Sequence, residues 1–274
     1  MKLTFLGSGG AFIDFRNEYH SNGVLEIPGY GLILIDCGAT AVQSMKELGI
    51  DYLNDLRAVL ITHMHADHIG GLEQLIYERY YLSGRWATTQ IYTHLAIAGD
   101  LRRWLELTVC PFYDFNGTQN TTLREIVNVT PYGPKLVDTY HLGMHTTVEF
   151  SAAQHCGPNK PCCGVSVHDS VSGVEIFWSG DTEVPNECRM DNADLVVHEC
   201  SFGPKYPDTV HTHLVDLKNL PEYHKGKTIL THCGPVPDGI QDDLDGFAGV
   251  AHRGMYVEVL PGTVIVPTMP PRTP

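Results

Sequence analysis

The chain has 274 residues, 43% hydrophobic and 18% charged, a globular balance that excludes a disordered protein. Its 32 acidic and 18 basic residues give a net charge of −14 with histidines neutral, and two divalent cations would leave it clearly acidic. Long polyanions are gripped by lysines and arginines that displace counterions, so a large nucleic acid is a poor partner and a small anion a better one. No apolar run approaches the roughly 18 residues of a membrane span. The start, Met1 to Gly7, enters a strand without a secretory pattern, and eight cysteines are too sparse for a disulfide scaffold. A cytoplasmic protein with reduced thiols is expected.

In chain order, apolar β-branched segments predict strands at Lys2–Leu6, Gly23–Ile27 and Gly31–Ile35, the last running into Asp36-Cys37-Gly38. A helix is predicted over Ala39–Leu48. Next, Ala58-Val59-Leu60-Ile61 reads as a buried strand. Residues 62–71 follow it as Thr-His-Met-His-Ala-Asp-His-Ile-Gly-Gly, leading into a predicted helix at Gly71–Tyr81. His63, His65, Asp67 and His68 thus fall in one tight strand-to-helix turn, where side chains two residues apart converge. Neutral imidazoles and carboxylates are natural ligands of zinc and related divalent ions. Chance clustering explains four such side chains in six positions poorly. The motif reads as a metal site.

Further on, a helix is predicted at Ala96–Leu107, and residues 110–140, rich in Asn, Thr, Pro and Tyr, read as a loop or cap over the site. Later strands end on polar chemistry. Ile176–Gly180 leads to Asp181, Leu195–Val197 to His198 and Glu199, and Ile229–Thr231 to His232, with a helix at Leu214–Leu220 before the last. Unrelated core histidines and carboxylates at these tips would leave buried polar groups without partners. An early and a late group of strands, with helices between and after, imply two sheets with helices outside. Residues 1–274 read as a single domain, with 269–274 a loose Pro-rich tail.

The motif His63-x-His65-x-Asp67-His68, followed by single ligands at strand ends, resembles the metallo-β-lactamase superfamily. The likeness runs from Phe5-Leu6-Gly7 and Asp36-Cys37-Gly38 to Thr231-His232. It implies an α/β fold, an αββα sandwich of two mixed sheets with helices outside. It also implies two divalent metal ions between the sheet edges, zinc first, with Mn2+ or Fe2+ as alternatives. By the same resemblance His63, His65 and His155 hold one ion, Asp67, His68 and His232 hold the other, and Asp181 bridges them. His155 precedes the turn Cys156-Gly157-Pro158, suited to presenting a ligand, whereas His141, His145 and His168 match no family position. Cys156, Cys162 and Cys163 lack the spacing of a thiolate zinc site and read as incidental thiols. Asp36 is expected behind the ligands rather than among them.

The segment Asp194 to Phe202 is similar to that of the phosphodiesterase branch, which includes ribonuclease Z and small-nucleotide phosphodiesterases. In that branch a histidine opens a helix where this chain has His211-Thr212-His213. The resemblance implies a dinuclear hydrolase in which water activated by metal attacks the phosphorus of a small, cyclic-type nucleotide. Asp67 would orient that water. His211 or His213 would protonate the leaving oxygen, and Glu199, beside His198, would orient that histidine. Spacing slightly favours His211. No basic arm is present to grip tRNA, so ribonuclease Z-like cleavage is the alternative. A lactonase or thioester hydrolase and a non-catalytic metal-bound sensor are the others. The expected partner is a small anionic nucleotide, without a membrane, and a homodimer is left open.

Overall fold

Period-two alternation of apolar side chains gives strands with one face for a common core, and two seven-stranded sheets result. The computed structural model describes residues 1–83, 87–109, 112–113, 119–121, 127–132, 137–157, 160–206, 209–236, 239–240, 244–263 and 265–269. The first sheet runs β16 (Tyr256–Glu258), β1 (Lys2–Phe5), β2 (Gly23–Ile27), β3 (Gly31–Ile35), β4 (Leu56–Ile61), β5 (Thr89–His94) and β8 (Val127–Tyr132). The second runs β15 (Gly249–Val250), β14 (Thr228–Thr231), β13 (Leu195–Glu199), β12 (Val174–Trp178), β11 (Cys162–Asp169), β10 (Thr146–Ala153) and β9 (Val137–Leu142). A separate ribbon pairs β6 (Phe112–Tyr113) with β7 (Gln119–Thr121).

Each sheet is mixed in the same way. Neighbours are antiparallel from β16 to β3 and from β9 to β12. They are parallel from β3 to β8 and from β12 to β15. Parallel neighbours need crossovers, and helices supply them. These are α1 (Ala41–Glu47), α2 (Ala66–Ile69), α3 (Leu72–Leu82), α4 (Leu95–Thr108), α5 (Glu187–Asn192), α6 (Leu214–Leu217) and α7 (Glu222–Lys225). The predicted helix at Leu214–Leu220 stops at Leu217, and Pro221 caps the start of α7.

The main core lies between the sheets, where Leu3, Phe5, Ile35 and Ile61 meet Phe150, Trp178 and Val197. The rings of Phe5 and Trp178 lie 6.1 Å apart. Full burial of one such side chain contributes about 1.5–3 kcal/mol, which makes register slips costly. The other face of the second sheet packs Phe177, Val196 and Leu230 against Met190 of α5 and Leu217 of α6.

Residues 110–140 were expected to form a loop or cap, and their described parts include strands. They supply the β6–β7 ribbon, β8 at one edge of the first sheet and the start of β9 at one edge of the second. Residues 110–111, 114–118, 122–126 and 133–136 of that segment, and 270–274 of the expected tail, lie outside the described residues. Among the described residues, no helix is long and apolar enough to cross a membrane.

Candidate metal centre

Parallel strands present their carboxyl ends along one edge of a sheet, the usual place for a ligand in such folds. Here β3 ends before Asp36, β4 before the His63–His68 turn, β12 before Asp181, β13 at Glu199 and β14 before His232. Their side chains meet. His63, His65, His155 and Asp181 offer ligand atoms within 4.8 Å of one another, as do Asp67, His68 and His232, and as do Asp181, Glu199, His211 and His232.

Asp181 stands between the first two groups. Its Oδ2 lies 3.5 Å from His63 Nε2 and 3.6 Å from His155 Nε2. Its Oδ1 lies 3.4 Å from both His68 Nε2 and His232 Nε2. Within the first group His65 Nδ1 is 3.0 Å from His63 Nε2 and 3.3 Å from His155 Nε2. In the second, Asp67 Oδ2 is 3.0 Å from His232 Nε2 and 3.3 Å from His68 Nε2.

The nitrogens facing away are tied back, which fixes each ring's direction. His63 Nδ1 meets Thr62 Oγ1 at 3.1 Å, and His155 Nδ1 donates to the Val210 carbonyl at 2.9 Å. His68 Nδ1 donates to Asp36 Oδ2 at 2.8 Å. Asp36 also accepts the Thr62 amide and hydroxyl, both at 2.8 Å, and is fully buried behind the ligands. Its φ is +57°, a left-handed conformation that Asp adopts more readily than most residues, and His232 adopts it too at +52°. Departures of this kind cost about 1–3 kcal/mol and persist only where the surroundings impose them.

The electrostatics fit a cation. Burial pushes His63 well below the usual imidazole range, aided by His68, His65 and His155. Burial opposes charge on His232 too, but Asp181, Asp67 and Glu199 outweigh it and raise its pKa to about 10. His68 is likewise raised well above its ordinary value, burial being overcome by Asp181 and Asp36. Both shifts favour protons on these rings beside the converging carboxylates; a divalent cation would supply that charge instead. His68 Nε2 is buried without a hydrogen-bond partner although it points into the cluster. The nitrogen and oxygen donors therefore suit zinc and similar ions.

Glu199 is buried beside this cluster. Its Oε2 accepts from His211 Nδ1 at 2.6 Å, and Oε1 accepts the Thr182 amide. Burial opposes its ionisation, yet His211 and His232 hold its pKa down at about 2. The His211 side chain is 34% exposed, so it stands at the mouth.

Two expected residues are not brought to the cluster. His213 occupies the N-cap position of α6 with no cap bond from its side chain, and its Nε2 meets Thr209 Oγ1 at 3.1 Å. Strand parity puts His198 on the face of β13 opposite Glu199, on the side of Val196 and its separate core, with Nδ1 donating to the Glu199 carbonyl at 2.7 Å. Sequence reasoning also passed over Thr62, which aligns His63, and the buried tripeptide His20-Ser21-Asn22. Only its polar character just before an apolar strand marked that tripeptide.

Two mixed sheets with helices outside make this a protein of the metallo-β-lactamase fold. The chain is similar to the metallo-β-lactamase fold protein YhfI from Bacillus subtilis, with a TM-score of 0.69, 20% identity, and 93% of this chain and 98% of that one covered. It is similar to human tRNase Z, short form, with a TM-score of 0.69, 19% identity, and 94% and 99% covered. The family model for Anti-Pycsar protein Apyc1 matches residues 1–257. An Anti-Pycsar protein Apyc1 from Bacillus phage vB_BsuM-Goe3 is 44% identical over 284 residues, covering 94% of this chain and 95% of that protein. The chain belongs to the Anti-Pycsar protein Apyc1 family and is a metal-dependent phosphodiesterase.

Proposed function

We propose that the enzyme opens the ring of a cyclic nucleotide with two divalent ions, zinc by preference. His63, His65 and His155 would hold one ion and Asp67, His68 and His232 the other, with Asp181 between them. The observation that carries this reading is the division of Asp181, whose two oxygens face separate groups of histidines at 3.4–3.6 Å. Support for the substrate comes from membership of the Anti-Pycsar family. Such ions, when bound, polarise a phosphoryl oxygen and lower the pKa of water toward about 7.

The chain's own groups complete the reaction. Asp67, held by His232 and His68, keeps an acceptor aimed at the attacking water. His211 has Nδ1 committed to Glu199, which leaves Nε2 to give a proton to the departing ribose oxygen. Buried Glu199 fixes that ring and favours its protonated form. One phosphorus–oxygen bond forms from water as one ester bond breaks, and the product is a linear mononucleotide. The net charge of −14 disfavours a long RNA at the same site. The test is metal analysis of the purified protein with turnover of a cyclic mononucleotide. Two ions per chain and turnover lost on chelation are expected. No tightly bound metal, together with thermal stability unchanged by chelator, would overturn the reading.

A further inference from the structure

We infer that Ser21 and Asn22 are positioning residues for the ligands of the second ion, the one assigned to Asp67, His68 and His232, and that they tune its affinity separately from the first. This rests on the two-ion reading above. Both side chains are buried, at 2% and 0% exposure. Asn22 Oδ1 accepts the Gly38 amide at 3.0 Å, while Nδ2 donates to the Asp67 carbonyl at 3.3 Å and the Ser21 carbonyl at 2.7 Å. Gly38 belongs to the loop in which Asp36 aligns His68 and the Cys37 amide donates to the His68 carbonyl at 2.7 Å. One buried amide thus joins the loop that aims His68 to the turn that carries Asp67. The approach is close, since a Cβ on Gly38 would lie 1.9 Å from the Asp67 carbonyl oxygen.

Ser21 acts on the other arm. Its Oγ is 2.7 Å from the Thr231 hydroxyl, one residue before His232, and its amide donates to the Gly9 carbonyl at 2.8 Å. Gly10 follows, so near the His232 ring that an added Cβ would stand 3.2 Å from Cε1. Consecutive residues therefore brace the segments that carry all three ligands of the second ion: Asp67 through its carbonyl, His68 through the Gly38 loop, and His232 through the Thr231 hydroxyl. The histidines of the first group are tied back elsewhere, His63 to Thr62 and His155 to the Val210 carbonyl. With no exposed path to these groups, bulk water cannot replace a lost hydrogen bond, and the freed ligand turn samples other positions.

The experiment strips the protein with chelator and titrates zinc by calorimetry, the second-ion step being the one that Asp67→Ala abolishes. Asn22→Asp keeps the acceptor but loses both donors. For it and for Ser21→Ala we expect the second-ion step to weaken about 10–100-fold, as for other groups that orient ligands, while the first changes less than about twofold. The double variant Ser21→Ala/Thr231→Ala should be no weaker than Ser21→Ala alone, and Thr231→Ser, which keeps the hydroxyl, should bind as the parent does. Cobalt substituted at the second position should change its visible spectrum in Asn22→Asp. Equal weakening of both steps, or a lower metal-free unfolding temperature with both affinities unchanged, would make the dipeptide merely structural and overturn the inference. A parent protein that takes up a single ion fails the two-ion reading first, before any variant is compared.

Discussion

Asp36→Asn tests how far the metal site depends on a residue set behind the proposed ligands. The carboxylate accepts three hydrogen bonds, from the Thr62 amide, the Thr62 hydroxyl and His68 Nδ1, each at 2.8 Å. Asparagine also tolerates the left-handed backbone at φ +57°, so the loop should keep its course. Its oxygen can still accept the Thr62 amide, which turns the amide nitrogen toward the hydroxyl and the imidazole. The hydroxyl can rotate to accept. The ring cannot, unless its proton moves to Nε2, the atom aimed into the cluster. One hydrogen bond to a charged group is lost, about 1.5–3 kcal/mol, equal to roughly 10–100-fold in affinity for an ion at His68. Competition with a chromophoric chelator measures that affinity, with metal-free thermal unfolding as the control for folding. Unchanged second-ion affinity in a folded variant would refute the reasoning that Asp36 sets the direction of His68.

Other consequences separate residues that the sequence left together. His211→Ala should lower kcat by about 10²–10⁴-fold with metal content retained, because a leaving-group acid is lost. His213→Ala should affect stability more than turnover, since that buried ring bonds Thr209 and lies outside the ligand groups; a larger loss of kcat for His213→Ala would reverse the assignment. Asp181→Ala should strip both ions, whereas Glu199→Ala should keep them and slow turnover; equal metal loss in the two would place Glu199 among the ligands.

Much of the architecture was legible because local patterns and tertiary structure agree. The predicted strands Gly23–Ile27 and Gly31–Ile35 coincide with β2 and β3, and the turn after β4 was readable from ligand chemistry alone. The scattered residues His155, Asp181 and His232 followed from strand ends and resemblance, and the fold brings them together with the turn. The choice between His211 and His213 was not legible, since it depends on where the chain bends into α6. His198 misled because it adjoins Glu199 in sequence, yet successive strand residues face opposite sides. Polar composition hid β8 and β9 within 110–140, where edge strands gain their partners only from distant segments. Ser21 and Asn22 carried no signal beyond their polarity before β2, because their partners lie far away along the chain.

Ring opening by a metal-held site is tested by following metal-loaded protein and a cyclic mononucleotide by phosphorus NMR in oxygen-18 water. A linear mononucleotide carrying one solvent oxygen on phosphorus is expected, with formation that stops on chelation and no processing of precursor tRNA at physiological salt. Hydrolysis of a lactone or thioester by the same preparation, with the cyclic nucleotide left intact, would contradict the proposed ring opening.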